Sequence, residues 1–163
     1  MPAIISFFGL LFGILFGMIV APGVVVWGVV HAVRNRRRPA ERLRGAALLA
    51  LGLALGMYTW GMAHLLPALL DAEDGGTDSS PLRPCRGDAD AATVARVIDY
   101  KVGFVPLRFE CRLTGGGSYV ASVVPGYVNP ATGVLAAAWA AGLFFGRDRE
   151  RTSRKAGDET GAA

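Results

Sequence analysis

The chain has 163 residues, 52% of them hydrophobic, and a net charge of +4. Those figures suit one soluble domain or a nucleic-acid binder, but the placement of the charges excludes both readings. They fall between three long apolar blocks free of Asp, Glu, Lys and Arg, and three membrane-spanning helices account for such blocks where a soluble core does not need them.

The first block runs from Pro2 to Val33. About 20 residues at 1.5 Å each cross a hydrocarbon core of about 30 Å, so residues 1–33 are expected to form transmembrane helix 1. A cleavable signal peptide would carry its positive charge before the apolar run. Here the arginines follow it, and no cysteine stands where lipoprotein processing would need one. Pro22-Gly23 predicts a kink near Ala21, and Trp27 and His31 approach the inner interface. Near the start lies the run FGLLFGILFG, with Gly9, Gly13 and Gly17 at four-residue spacing and Phe8, Phe12 and Phe16 one place ahead. Small residues let helix backbones approach closely. The ladder therefore predicts the seam of a three-helix bundle, with oligomerisation as a secondary use.

Residues 34–45 follow as an Arg-rich loop. RNRRRPAERLR, from Arg34 to Arg44, has six arginines and one glutamate. Short loops rich in Lys and Arg stay in the cytoplasm. This places the N-terminus outside. The loop also suits the anionic headgroups of the bilayer, at about 1 kcal/mol per cationic side chain, although setting topology alone would explain it. Nucleic acid is not an expected partner, because the basic residues flank helix ends.

Residues 46–70 read as transmembrane helix 2, with small residues at Gly52 and Gly56 continuing the packing pattern. Residues 71–128 are the extracytoplasmic segment. Its first part, DAEDGGTDSSPLRP, is a linker by composition. Asp88 and Asp90 suit the start of a short helix over 89–95. Then Ile98, Tyr100, Val102 and Phe104 alternate with more polar residues, and so do Val105, Leu107, Phe109, Cys111 and Leu113. Period two with β-branched and aromatic residues predicts strands. The phase changes at Val105-Pro106, which marks a bulge or break. Gly115-Gly116-Gly117 predicts a turn into a strand over 118–124. Two or three antiparallel strands are too few to stand alone, so this cap must pack on the helices or be stapled.

Residues 129–146 read as transmembrane helix 3, with Asn129 as N-cap and Pro130 in the first turn. Ala138 and Gly142 repeat the small-residue spacing. Residues 147–163 mix five bases with four acids and read as a disordered cytoplasmic tail. The fold class is thus an α-helical integral membrane protein with three transmembrane helices and a small antiparallel β cap between helices 2 and 3. Fifteen arginines against two lysines, with abundant Ala and Gly, suggest a bacterial source.

Chemistry is sparse. Cys85 and Cys111, the only cysteines, both fall in the outer segment. Outside the cytoplasm disulfides persist, and closing a loop of this length is worth about 3.5 kcal/mol. A structural disulfide is the expected state, since redox pairs favour C-x-x-C spacing. His31 and His64 sit near opposite ends of their spans and cannot share an ion. Asp71, Glu73, Asp74 and Asp78 read as a solvated linker before they read as a calcium site. No nucleophile, zinc, Walker or dinucleotide motif is present, so no catalytic residue, cofactor or metal is expected. The expected function is binding or structural, exerted through helix packing and the cap, on a membrane-protein partner or a second copy. The alternatives are a transport or channel subunit, and a membrane enzyme or thiol redox protein.

Overall fold

The computed structural model describes residues 2–35, 39–73 and 80–161. Helix α1 spans Pro2–Arg34 and α2 spans Pro39–Glu73. A 3-10 turn at Arg83–Cys85 and a one-turn helix α3, Ala91–Val94, lead into three strands. These are β1 (Val97–Phe104), β2 (Leu107–Leu113) and β3 (Ser118–Ala121), followed by helix α4, Val128–Gly161. Three stretches are long and apolar enough to cross a membrane: Ile4–Arg34, Glu41–Glu73 and Val128–Asp148.

The helices run longer than their apolar blocks. Most of the expected Arg-rich loop is helix end: Glu41 sits in the first turn of α2, and His31 and Arg34 in the last turn of α1. Each sign of charge meets the favourable end of a helix dipole. Residues 36–38 of that loop lie outside the described residues. Helix α1 continues through Pro22, the residue from which a kink near Ala21 is expected. Helix α4 continues past its apolar part to Gly161. No Gly or Pro between Arg147 and Ala156 interrupts it.

The molecule divides into two compact units. One contains Met1–Phe16 and Met57–Pro130, the other Gly17–Gly56 and Ala131–Ala163. In the first, the sheet has the order β1-β2-β3 with both pairs antiparallel. Tyr100 pairs with Cys111 and Cys111 with Tyr119. A bulge between Val97 and Asp99 shifts the register. It turns Ile98, read from the sequence as part of the inward set, outward. The phase change at Val105-Pro106 is the hairpin turn itself, with a cis peptide bond between the two residues. Gly115, Gly116 and Gly117 all have positive φ, a backbone that glycine adopts without strain. Leu107, Phe109 and Cys111 of β2 point inward against Leu10 of α1 and Met62, Leu65 and Leu69 of α2. This shared core is what a three-stranded sheet lacks alone.

In the second unit α1 and α2 run antiparallel with backbones very close. A Cβ built on Gly52 would come within 2.6 Å of Val25 Cγ2, one on Gly28 within 2.9 Å of Leu49 N, and one on Gly45 within 2.7 Å of Ala32 Cβ. Helix α4 approaches α2 in the same manner, where a Cβ on Gly142 would lie 2.9 Å from Ala47 Cβ.

Candidate functional site

The cap is built around one covalent bond. Cys111 occupies the middle of β2, the central strand, and Cys85 the end of the 3-10 turn. The two form a disulfide with a Cα–Cα distance of 6.1 Å, and both residues are fully buried. Burial denies an attacking thiolate its approach, so the bond is suited to holding structure rather than to exchange. Around it the loops are tied by side chains. The Tyr119 hydroxyl donates to the Cys85 carbonyl at 2.6 Å, and the Ser122 backbone N–H donates to Asp88 Oδ2 at 2.8 Å. Asp90, rather than Asp88, caps α3 by accepting from the Thr93 N–H. The Tyr100 ring stacks on Phe109 with centroids 5.1 Å apart.

The cap is fastened to the helices at the β1–β2 hairpin. The Tyr58 hydroxyl donates to the Phe104 carbonyl at 2.7 Å. Gly61 provides the notch beside it, since a Cβ there would fall 2.6 Å from Leu107 Cδ1 and 2.7 Å from Val128 Cγ1. Asn129 does not cap α4 as expected. The helix begins one residue earlier, and the Asn129 side chain holds the two backbone polar groups of Leu107. Those groups are buried in the hairpin and outcompete the helix end for the amide. Trp60 Nε1 donates to the Tyr127 hydroxyl at 3.2 Å, and His64 stacks edge-on against Trp60.

Beneath one edge of the cap is an open groove of about 400 Å³, lined by Ile4, Phe7 and Phe8 of α1 and by Leu69, Leu70 and Glu73 of α2. Its walls are apolar except for the Glu73 carboxylate. The Tyr100 hydroxyl donates to Glu73 Oε1. Burial pushes the Tyr100 phenol upward, and the bond to Glu73 adds to the shift, so the phenol stays a donor at neutral pH. Sequence reading missed this groove. Its only signal there is Leu69-Leu70 one turn before Glu73 at the end of an apolar block.

The expected packing residues have different fates. Along the ladder, Gly17 is buried, Gly13 half-buried and Gly9 exposed. A Cβ on Gly13 would meet Met62 Sδ at 3.0 Å, and one on Gly9 would meet only Phe104 at 3.7 Å. Four residues advance a helix by about 400°, so a four-spaced stripe drifts about 40° per step off a fixed face. Ala138 is exposed while Gly142 packs on α2, for the same reason. Gly52 sits in the tight α1–α2 seam, and Gly56 lies at its loose end, where a Cβ would be 3.9 Å from Ala21. Gly28 and Gly61, which stand outside the expected series, make closer contacts than Gly9 or Gly13.

His31 and His64 fall in different units. His31 Nε2 lies 2.8 Å from Glu41 Oε2, and Arg44 Nη1 lies 3.4 Å from Glu41 Oε1. Of the four acids of the linker, Asp71 and Glu73 are described; Asp74 and Asp78 lie outside the described residues. Among the described residues no group of three His, Cys, Asp or Glu side chains is arranged to hold a metal ion. Comparison of the chain with protein-family models, with curated proteins and with solved structures finds no match, and the functional reading therefore rests on its own geometry.

Proposed function

We propose that the protein is a multi-pass component of the cell membrane that acts by binding rather than by catalysis, holding a rigid cap outside the cell. The observation that carries this reading is the fully buried disulfide in the cap. Disulfides persist in oxidising compartments, so the cap belongs outside. The arginines between α1 and α2 give the same orientation independently, since they belong inside. The N-terminus is then extracytoplasmic and the C-terminus cytoplasmic. The arginines meet anionic headgroups on the inner face. Phe12 and Phe16 of α1 are 65% and 67% exposed. They form a ridge available to lipid, to a partner membrane helix or to a second copy.

Two measurements test this. In right-side-out cells, protease added outside should cut the cap side of the chain and leave a C-terminal tag protected; the reverse pattern overturns the orientation. A photo-crosslinking residue at Phe12 in intact membranes should give one discrete protein adduct, at twice the chain mass for a second copy. Adducts with lipid alone would overturn the binding role of this face.

A further inference from the structure

The groove beside Glu73 has the features of a ligand site that the helix packing does not use. Its volume of about 400 Å³ lies within the roughly 300–1,000 Å³ usual for small-molecule sites. Five apolar side chains form its walls, and one carboxylate closes the end. Ile4 and Phe8 of its wall are 62% and 49% exposed, and Ile5, next in the chain to Ile4, is 73% exposed. Such side chains at a helix surface call for hydrocarbon around them, so the groove opens onto the acyl region of the bilayer. Only one carboxylate oxygen is engaged. Tyr100 donates to Oε1, while Oε2 has no partner among the described residues. Among the described residues no Lys or Arg lines the groove. An anionic head would meet an uncompensated negative charge there, whereas an ammonium would find an acceptor.

We infer that this groove holds one acyl chain of a bilayer lipid whose headgroup carries a primary ammonium, with that ammonium donating to Glu73 Oε2. The inference rests on the extracytoplasmic placement of the cap, because it puts the site in the outer leaflet. Ethanolamine lipids have this chemistry. Choline lipids have the charge but no N–H, and glycerol lipids have neither. Tyr100 acts as a positioning residue, fixing the carboxylate so that its second oxygen faces the groove.

The test is retention of lipid by the purified full chain, read by native mass spectrometry after incubation with an equimolar mixture of ethanolamine, choline and glycerol phospholipids of identical acyl chains. The ethanolamine lipid should be retained over the choline lipid by about tenfold, the value of one charge-assisted hydrogen bond. Glu73→Gln should abolish that preference, while glycerol lipid bound elsewhere through the arginines is unchanged. Leu70→Trp, at a half-exposed position of the wall, should fill the groove and remove the ethanolamine lipid altogether. Tyr100→Phe should lower the preference without abolishing it, since both oxygens remain as acceptors but the carboxylate is no longer held. Non-reducing gel mobility verifies the cap disulfide in each variant. No headgroup preference in the native chain overturns the proposal, as does a preference that survives Glu73→Gln or Leu70→Trp. Protease mapping of orientation is independent of all these outcomes. An inverted orientation with an intact ethanolamine preference would refute the outer-leaflet placement and leave the site standing.

Discussion

Asn129 grips Leu107 by both of its backbone polar groups: Leu107 N–H donates to Asn129 Oδ1 at 2.9 Å, and Asn129 Nδ2 donates to the Leu107 carbonyl at 2.9 Å. Leu107 is buried at the first position of β2, so neither group has water as a substitute. Asn129→Ala should cost about 2 kcal/mol, the cost of leaving buried polar groups unpaired. Asn129→Asp can accept from the N–H but cannot donate to the carbonyl. It should cost nearly as much. Hydrogen exchange at the Leu107 amide reads both effects, and unchanged protection in Asn129→Ala would contradict the role given to this side chain.

Glycines in the long apolar helices should differ sharply in tolerance. Gly52→Val puts side-chain atoms where Val25 Cγ2 and the Val25 backbone already stand, and overpacking of this kind costs about 2 kcal/mol. Gly9→Ala adds a methyl group with its nearest neighbour, Phe104, at 3.7 Å, and should change stability by less than about 0.5 kcal/mol. Thermal unfolding of the purified protein in one detergent compares the two. Equal effects would remove the distinction between the seam and the ladder.

Removing the staple should loosen the cap and leave the second unit intact. Cys111→Ser loses loop-closure stabilisation of about 3.5 kcal/mol and leaves a polar hydroxyl in a fully buried position. Faster proteolysis of the cap at Arg83 and Arg86, with normal membrane insertion, is the expected result. Cap protection equal to that of the native chain would show that the disulfide contributes little.

Acid should weaken the β2–β3 pairing through Glu110. The Ser118 hydroxyl donates to its carboxylate at 2.6 Å. That bond holds the Glu110 carboxyl below its ordinary value; desolvation opposes it, and Arg108, Lys101 and Arg112 add to the lowering. A carboxyl whose value is depressed on folding stabilises the native state above its unfolded value, and that contribution disappears as pH falls through the folded one. The loss is therefore confined to pH below about 4.3. Ser118→Ala should move the Glu110 titration, followed by carboxyl NMR, back towards the ordinary range; an unmoved midpoint would reject the cause.

The apolar blocks and the strands were legible because each rests on a local rule. Hydrocarbon thickness sets the helix length, and the pleat sets the alternation through Leu107, Phe109 and Cys111. The turn at Gly115–Gly117 was legible for a similar reason, since its backbone suits glycine. Asn129 was misread because N-capping is only a local preference. A buried strand end elsewhere in the chain offered that amide a better use. Equal spacing in sequence is not equal direction on a helix of 3.6 residues per turn, so along the ladder Gly17 is buried and Gly13 meets Met62 while Gly9 is exposed.

By itself, then, the order of residues determines three helices able to cross a membrane, the placement of charge between them, a small antiparallel cap of two or three strands and one pair of cysteines within it. These follow from segregation and periodicity, which act over a few turns of chain. Tertiary structure alone decides which glycines stand at van der Waals contact, that the cap rests on Leu10, Leu65 and Leu69, and that Glu73 closes an apolar groove beside Phe7 and Phe8. Each of these joins residues far apart in the chain, and their meeting depends on how whole elements cross and fill space together, which no local pattern encodes.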